Sequence, residues 1–305
     1  MALQSAIVAF DVDRVVGEVR NAADVFLRPR FRSLAAGDIR EKSPGEVVTV
    51  ADEECEAHLG AALLAVVPGS VLVGEEAASQ DGSLLELLAG DDPVWLLDPL
   101  DGTSAFAAGS SDYAVMAALV VRGETVLSVI HQPEYGRTFV AERGSGAHEL
   151  EAGGSIALVP GEPGGRLRGA VMRRFLPPEV AKAVEENEGR FQSLEPATKT
   201  AGIEYPAIAA GERDFILYWR TLPWDHVPGG LLISEAGGKA AHLDGGCYRP
   251  AQRREGLLVA STPELWERAR EELGVNELAS TERPRTRDGR PLARLGQPQS
   301  GRSGP

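Results

Sequence analysis

Residues 95–103 read Trp-Leu-Leu-Asp-Pro-Leu-Asp-Gly-Thr and bring together the residue types that metal-assisted phosphate chemistry needs. An apolar run, Val94 to Leu97, ends on Asp98; Pro99 is expected to stop it, and Asp101 follows three residues after the first carboxylate. Two carboxylates at a strand end suit a hard divalent cation, because Mg²⁺ takes oxygen ligands in near-octahedral array and commonly shares them with substrate phosphate. Gly102 and Thr103 then open a helix or tight turn, and the free backbone N–H groups of a helix start form an anion site. The combination points to metal-assisted transfer of a phosphoryl group to water. Two other segments carry carboxylates in comparable settings. Val71-Leu-Val-Gly-Glu75-Glu76 is a short apolar strand ending on carboxylates, and Trp224-Asp225 stands just before a helical stretch that closes at Glu235-Ala-Gly-Gly238.

Together with Lys42-Ser-Pro and Val48-Thr49-Val-Ala-Asp52 upstream, these segments resemble the inositol monophosphatase family in order and spacing, from about Ala6 to about Leu273. The resemblance implies a Mg²⁺-dependent, lithium-sensitive phosphomonoesterase with two or three ions, acting on a small polyol or sugar phosphate. It implies a first metal on Glu75, Asp98 and the Leu100 carbonyl, and a second on Asp98, Asp101 and Asp225, with Asp98 bridging. A Pro99 kink would let Asp98 and Asp101 converge, since an unbroken strand would point them to opposite faces. Thr103 and Asp52 are expected to orient and deprotonate the attacking water, Glu75 sharing that work, while the Gly102 and Thr103 N–H groups hold phosphate oxygens and Lys42 helps close the site. Asp101 and Asp225 are expected to touch substrate as well as metal.

Each of these residues also has a plainer reading. Thr49-x-x-Asp52 matches a helix capping box, Asp225 matches an N-cap, and Asp98-Pro-Leu-Asp-Gly-Thr has the composition of an ordinary turn. Glu75-Glu76 could be solvated residues after an edge strand, and a lysine in a polar loop such as Lys42 is most often just solvated. The functional reading is favoured because it explains four separated segments with one site. The substrate stays open, since inositol phosphate phosphatase, fructose-1,6-bisphosphatase, histidinol-phosphatase and 3'(2'),5'-bisphosphate nucleotidase activities share the scaffold, as would a non-catalytic regulator. Inositol-preferring members carry an acidic residue seven positions before the last metal-binding Asp, and here that position is Tyr218. Arg220 would read a second phosphate or a carboxylate, or pair with an acidic residue of the protein. Glu204 is a further candidate for a sugar hydroxyl.

The elements that must position these residues follow from periodicity. Val12, Val15, Val16 and Val19 mark an opening amphipathic helix, and Cys55, Leu59, Leu63 and Val66 a second. Gly37 to Val47 reads as a polar mobile loop carrying Lys42. Tyr113–Val121 and Thr125–Ile130 form a hairpin around Arg122-Gly123. The second half alternates strand and helix, which is α/β character. By resemblance the fold is α/β (α+β), a layered αβαβα sandwich of the inositol monophosphatase/fructose-1,6-bisphosphatase type. Residues 1–152 would form an α+β domain with most metal ligands, 153–275 an α/β domain, and 276–305 a disordered basic tail.

The chain's 305 residues suit about two domains. Lys and Arg total 31 against 45 Asp and Glu, giving a net charge of −14, which disfavours nucleic acid and anionic membranes as partners. Cys55 and Cys247 make no zinc or disulfide pattern. No signal peptide or membrane span is apparent. The expected picture is a cytoplasmic homodimer that binds a small phosphate ester.

Overall fold

The computed structural model describes residues 10–43, 45–161 and 164–276. The expected basic tail therefore falls almost wholly outside the described residues. Helix α1 (Val12–Ala22) continues through a π-helical turn at Ala23–Leu27. Next come a hairpin of β1 (Ile39–Ser43) and β2 (Glu46–Thr49) and helix α2 (Val50–Val66). Lys42 thus sits on a strand paired to β2, not in an irregular loop. The polar sequence of β1 carries no apolar alternation, so its pairing with Val47 and Val48 of β2 is a tertiary effect that periodicity could not register.

A seven-stranded sheet follows, its strands side by side in chain order. It comprises β3 (Val71–Gly74), β4 (Val94–Asp101), β5 (Ala114–Val121), β6 (Glu124–Gln132), β7 (Arg137–Glu142), β8 (Gly146–Glu151) and β9 (Gly154–Ala157). Between these strands lie the short helices α3 (Glu75–Gln80) and α4 (Thr103–Ala107). The expected hairpin at Arg122-Gly123 is present, both residues having positive φ, which matches the twist of the flanking strands.

A five-stranded sheet is built from β10 (Arg168–Val171), β11 (Ser193–Pro196), β12 (Phe215–Tyr218), β13 (Lys239–His242) and β14 (Leu257–Ala260), in the order β11-β10-β12-β14-β13. Helices α5 (Pro178–Asn187), α6 (Ala201–Ala209), α7 (Pro223–Glu235) and α8 (Pro263–Glu272) complete the chain.

Side-chain alternation stacks these parts. Val115, Ala117 and Leu119 of β5 pack with α1 and α2, whereas Ala114 and Met116 face Tyr205 and Ile208 of α6 and Leu231 and Leu232 of α7. On β12, Ile216 and Tyr218 face the same middle layer, while Phe215 and Leu217 face Val180 and Val184 of α5 and Leu265 and Trp266 of α8. Period-two burial on both sheets gives five layers, helix, sheet, helix, sheet, helix, which is the αβαβα arrangement that the family resemblance implies. Among the described residues no helix is long and apolar enough to cross a membrane.

Candidate active site

Strand β4 does not stop at Pro99. It runs through Asp101, with a register shift that sets Asp98 opposite Met116 and Asp101 opposite Ala114. One extra residue lies on the β4 side, a β-bulge, where a proline costs no ladder hydrogen bond. The bulge, rather than a strand end, lets two carboxylates three residues apart converge. Asp225 belongs to the first turn of α7, whose N-cap is Leu222, so its carboxylate is not spent on capping. Carboxylate oxygens of Asp98, Asp101 and Asp225 all lie within 4.8 Å of one another.

Glu75 opens α3 directly after β3 and lines the same cavity, of about 130 Å³. Lys42 Nζ donates to Glu75 Oε1 at 2.6 Å and to Glu76 Oε1 at 2.8 Å. Burial pushes Asp98 well above the usual carboxylate range, and the negative charges of Glu75, Asp101 and Asp225 push it further. Burial likewise raises Asp101 to about 7, against the opposing hydrogen bonds from Gly202 and Ala201 N–H, and it raises Asp225, with Glu75 and Asp101 adding to the shift. Like charges held this close and this dry favour protonation or a cation.

The Thr49–Asp52 motif is both a capping box and a site element. Thr49 N–H donates to Asp52 Oδ2 at 2.9 Å and the Thr49 hydroxyl lies 2.5 Å from the same oxygen. Asp52 Oδ1 accepts from the Thr103 hydroxyl at 2.8 Å. Thr103 Oγ1 also lies 3.0 Å from the Leu100 carbonyl oxygen. Burial raises Asp52 to about 6 despite the opposing hydrogen bonds from Thr49 and Thr103. Gly102 caps α4 with φ +89°, and a Cβ there would lie 2.4 Å from Thr200 Oγ1 and 2.9 Å from the Asp112 carbonyl oxygen, so only glycine fits.

The substrate-facing candidates divide. Tyr218 lines the cavity, is 3% exposed, and its hydroxyl has no hydrogen-bond partner among the described residues. Arg220 lines the cavity but is ion-paired with Glu46 of β2, and its guanidinium lies 4.3 Å from the Phe175 ring centre. Glu204 does not join the site. It is buried, Oε1 accepting from Thr198 N–H at 2.7 Å and Oε2 facing Arg213 Nε at 3.3 Å. Its carboxylate is used to tie the start of α6 to neighbouring loops, which removes it as a sugar contact.

Sequence reading missed Met172, Arg174, Phe175 and Lys199, which form the far wall. They stand just beyond β10 and β11, two strands that run parallel to each other. Carboxyl ends of parallel strands are where such sheets bind ligands, so strand direction was the signal that could have found them.

Comparisons with known proteins identify the family and the fold. The model of the inositol monophosphatase family matches residues 11–277. A Thermotoga maritima protein named fructose-1,6-bisphosphatase/inositol-1-monophosphatase is 27% identical over 213 residues, covering 67% of this chain and 75% of that one. A Pseudomonas aeruginosa protein named Nus factor SuhB is 31% identical over 228 residues, covering 70% and 80% of the two chains. The solved structure of Thermotoga maritima IMPase superposes with a TM-score of 0.70 at 22% identity, covering 86% of this chain and 97% of that one, a likeness of fold.

Proposed function

The chain belongs to the inositol monophosphatase family of phosphoric monoester hydrolases, and from that premise we propose that it is a Mg²⁺-dependent phosphatase of a small polyol or sugar phosphate. The observation that carries this reading is the trio Asp98, Asp101 and Asp225, with oxygens within 4.8 Å, beside the Thr103–Asp52 pair. An all-oxygen, multiply charged donor set fits Mg²⁺ better than a soft metal. Glu75, Asp98, Asp101, Asp225 and the Leu100 carbonyl would hold two ions. When bound, these would supply positive charge to the phosphate and leaving oxygens and acidify a water.

The chain's own groups do the rest. With its proton directed at Asp52 Oδ1, the Thr103 hydroxyl keeps lone pairs free to accept from a water. A proton taken there passes on to Asp52, whose pKa of about 6 suits a base working near neutrality. First-turn amides of α4, at Gly102 and Thr103, orient phosphate oxygens. Lys42, anchored on Glu75 and Glu76, brings β1 across the cavity and limits water. Beyond the phosphate, Tyr218 lines the cavity with its hydroxyl buried and unpartnered among the described residues, so its ring rather than its oxygen would meet a substrate. Arg220 already has Glu46 as its counter-ion, so the cavity favours a substrate neutral at that end, such as a polyol monophosphate.

The test is phosphate release from inositol 1-phosphate, glycerol 2-phosphate, fructose 1,6-bisphosphate, histidinol phosphate and phosphoadenosine phosphate, with Mg²⁺ and with EDTA. Mg²⁺-dependent release, fastest on a polyol monophosphate and abolished by Asp98→Asn, is expected. Release from all five that is untouched by EDTA would refute the metal reading; preference for a bisphosphate would refute the substrate reading.

A further inference from the structure

Four residues after Asp52 on α2 stands a second buried carboxylate, Glu56, which the proposed chemistry does not use. Both residues are on the face of the helix that meets the site. Glu56 is 7% exposed. Its Oε2 accepts from the Glu76 N–H at 2.8 Å and its Oε1 from the Ala77 N–H at 2.9 Å. It therefore clamps the two peptide units that follow Glu75.

On the other side of Glu75, Gly74 has no side chain, and a Cβ there would lie 2.3 Å from the Glu56 carboxyl carbon and 2.4 Å from Oε2. Gly74 has φ −90°, a conformation open to any residue. Glycine stands there to admit the Glu56 carboxylate, not to relieve the backbone. Glu75 is thus held between a neighbour that makes room for Glu56 and two amides that bind it. Lys42, from β1, engages the Glu75 and Glu76 carboxylates.

We infer that Glu56 is the positioning residue for Glu75, fixing the β3–α3 junction so that the Glu75 carboxylate is presented to Asp98 in the orientation that divalent-cation binding needs. The inference rests on the proposed metal role of Glu75. A carboxylate is required because both of its oxygens accept; a Gln side chain keeps one acceptor and turns an N–H₂ toward an N–H donor. Residues that act through a metal ligand in this way commonly change metal affinity by about 10- to 100-fold.

Calorimetric titration of the EDTA-treated full chain with Mg²⁺ tests it, alongside the Mg²⁺ dependence of phosphate release and thermal unfolding. Glu56→Gln should weaken Mg²⁺ binding about 10- to 100-fold, with kcat recovering at high Mg²⁺ and KM for the ester changing little. Gly74→Ala, which displaces the carboxylate without touching it chemically, should reproduce the effect and serves if Glu56→Gln does not fold. Glu56→Asp should fall between. Variants that melt earlier yet bind Mg²⁺ as tightly as the wild type would make Glu56 a helix cap only and overturn the inference while leaving the proposed function standing. A wild-type chain that binds no Mg²⁺ would overturn both.

Discussion

Asp52 serves two ends through two oxygens, Oδ2 closing the N-terminus of α2 with Thr49 and Oδ1 holding the Thr103 hydroxyl. The two functions separate by substitution. Thr103→Ala removes the hydroxyl proposed to relay a proton from water to Asp52, and kcat should fall about 100-fold or more, while stability changes by about 1 kcal/mol. Thr49→Ala should cost about 1 kcal/mol of stability as a lost cap and affect kcat far less. Equal losses of kcat in both would mean that Thr103 acts only through packing. From sequence, Thr49-x-x-Asp52 taken alone reads first as a cap, and the role of Asp52 as a base partner comes from the family resemblance, because residue spacing does not assign individual oxygens. Asp98, Asp101 and Asp225 are expected together from the resemblance of their motifs in order and spacing, and the fold brings their carboxylate oxygens within 4.8 Å of one another. Arg220 was left between a ligand and a partner, and the choice depended on Glu46, distant in sequence and adjacent only after folding. Glu204 was misread for the same reason, its partners Thr198 and Arg213 being set by the turns around α6.

At the scale of elements, the β1–β2 hairpin bridges the two sheets. Lys42 reaches Glu75 and Glu76, the Gly45 carbonyl accepts from Arg174 Nη1 at 3.2 Å, and Glu46 pairs with Arg220. Glu46 thereby withholds a guanidinium that would otherwise face the cavity. Freeing it with Glu46→Gln should raise kcat/KM for fructose 1,6-bisphosphate relative to inositol 1-phosphate about tenfold, near the worth of one hydrogen bond to a charged group. An unchanged ratio would show that Arg220 cannot turn toward a second phosphate. The hairpin was also the element least visible in the sequence. Strands β5, β6, β12 and β14 and helices α2, α5 and α8 announce themselves through periodic apolar residues buried on defined faces. β1 and β11, by contrast, are short and largely polar, with exposed or half-buried residues at most positions. Their strand character comes from ladders with distant partners, which local pattern does not encode. The bulge in β4 was legible only as a proline punctuation, since its geometry depends on the register of β5.

Across the whole molecule, the proposed site groups gather where the carboxyl ends of β3 and β4 from one sheet meet those of β10, β11 and β12 from the other. Long-range hydrogen bonds join the halves there. Asp101 Oδ2 accepts from Gly202 N–H at 2.5 Å and Gln132 Nε2 donates to the Gly202 carbonyl at 2.8 Å. The acids proposed to carry function therefore sit where the two halves are joined, in a chain whose net charge is already −14. Repulsion among Asp98, Asp101, Asp225 and Glu75 opposes folding whenever no cation is bound. Asp98→Asn removes one charge and keeps an oxygen for the Leu100 N–H, which Asp98 Oδ1 accepts at 3.0 Å. In EDTA this variant should be more stable than the wild type, by about 1 kcal/mol or more, the scale of an uncompensated buried polar group. Saturating Mg²⁺ should reverse the order. A cation at about one hundred times its Kd stabilises the wild type by about 2.7 kcal/mol, or about 4–5 °C in Tm for a chain of this size, while the variant gains little. Thermal melts of both proteins in EDTA and in Mg²⁺ measure the four quantities together. A variant less stable than the wild type under both conditions would mean that Asp98 is held chiefly for its hydrogen bond, and that the acidic cluster does not store the strain its burial implies.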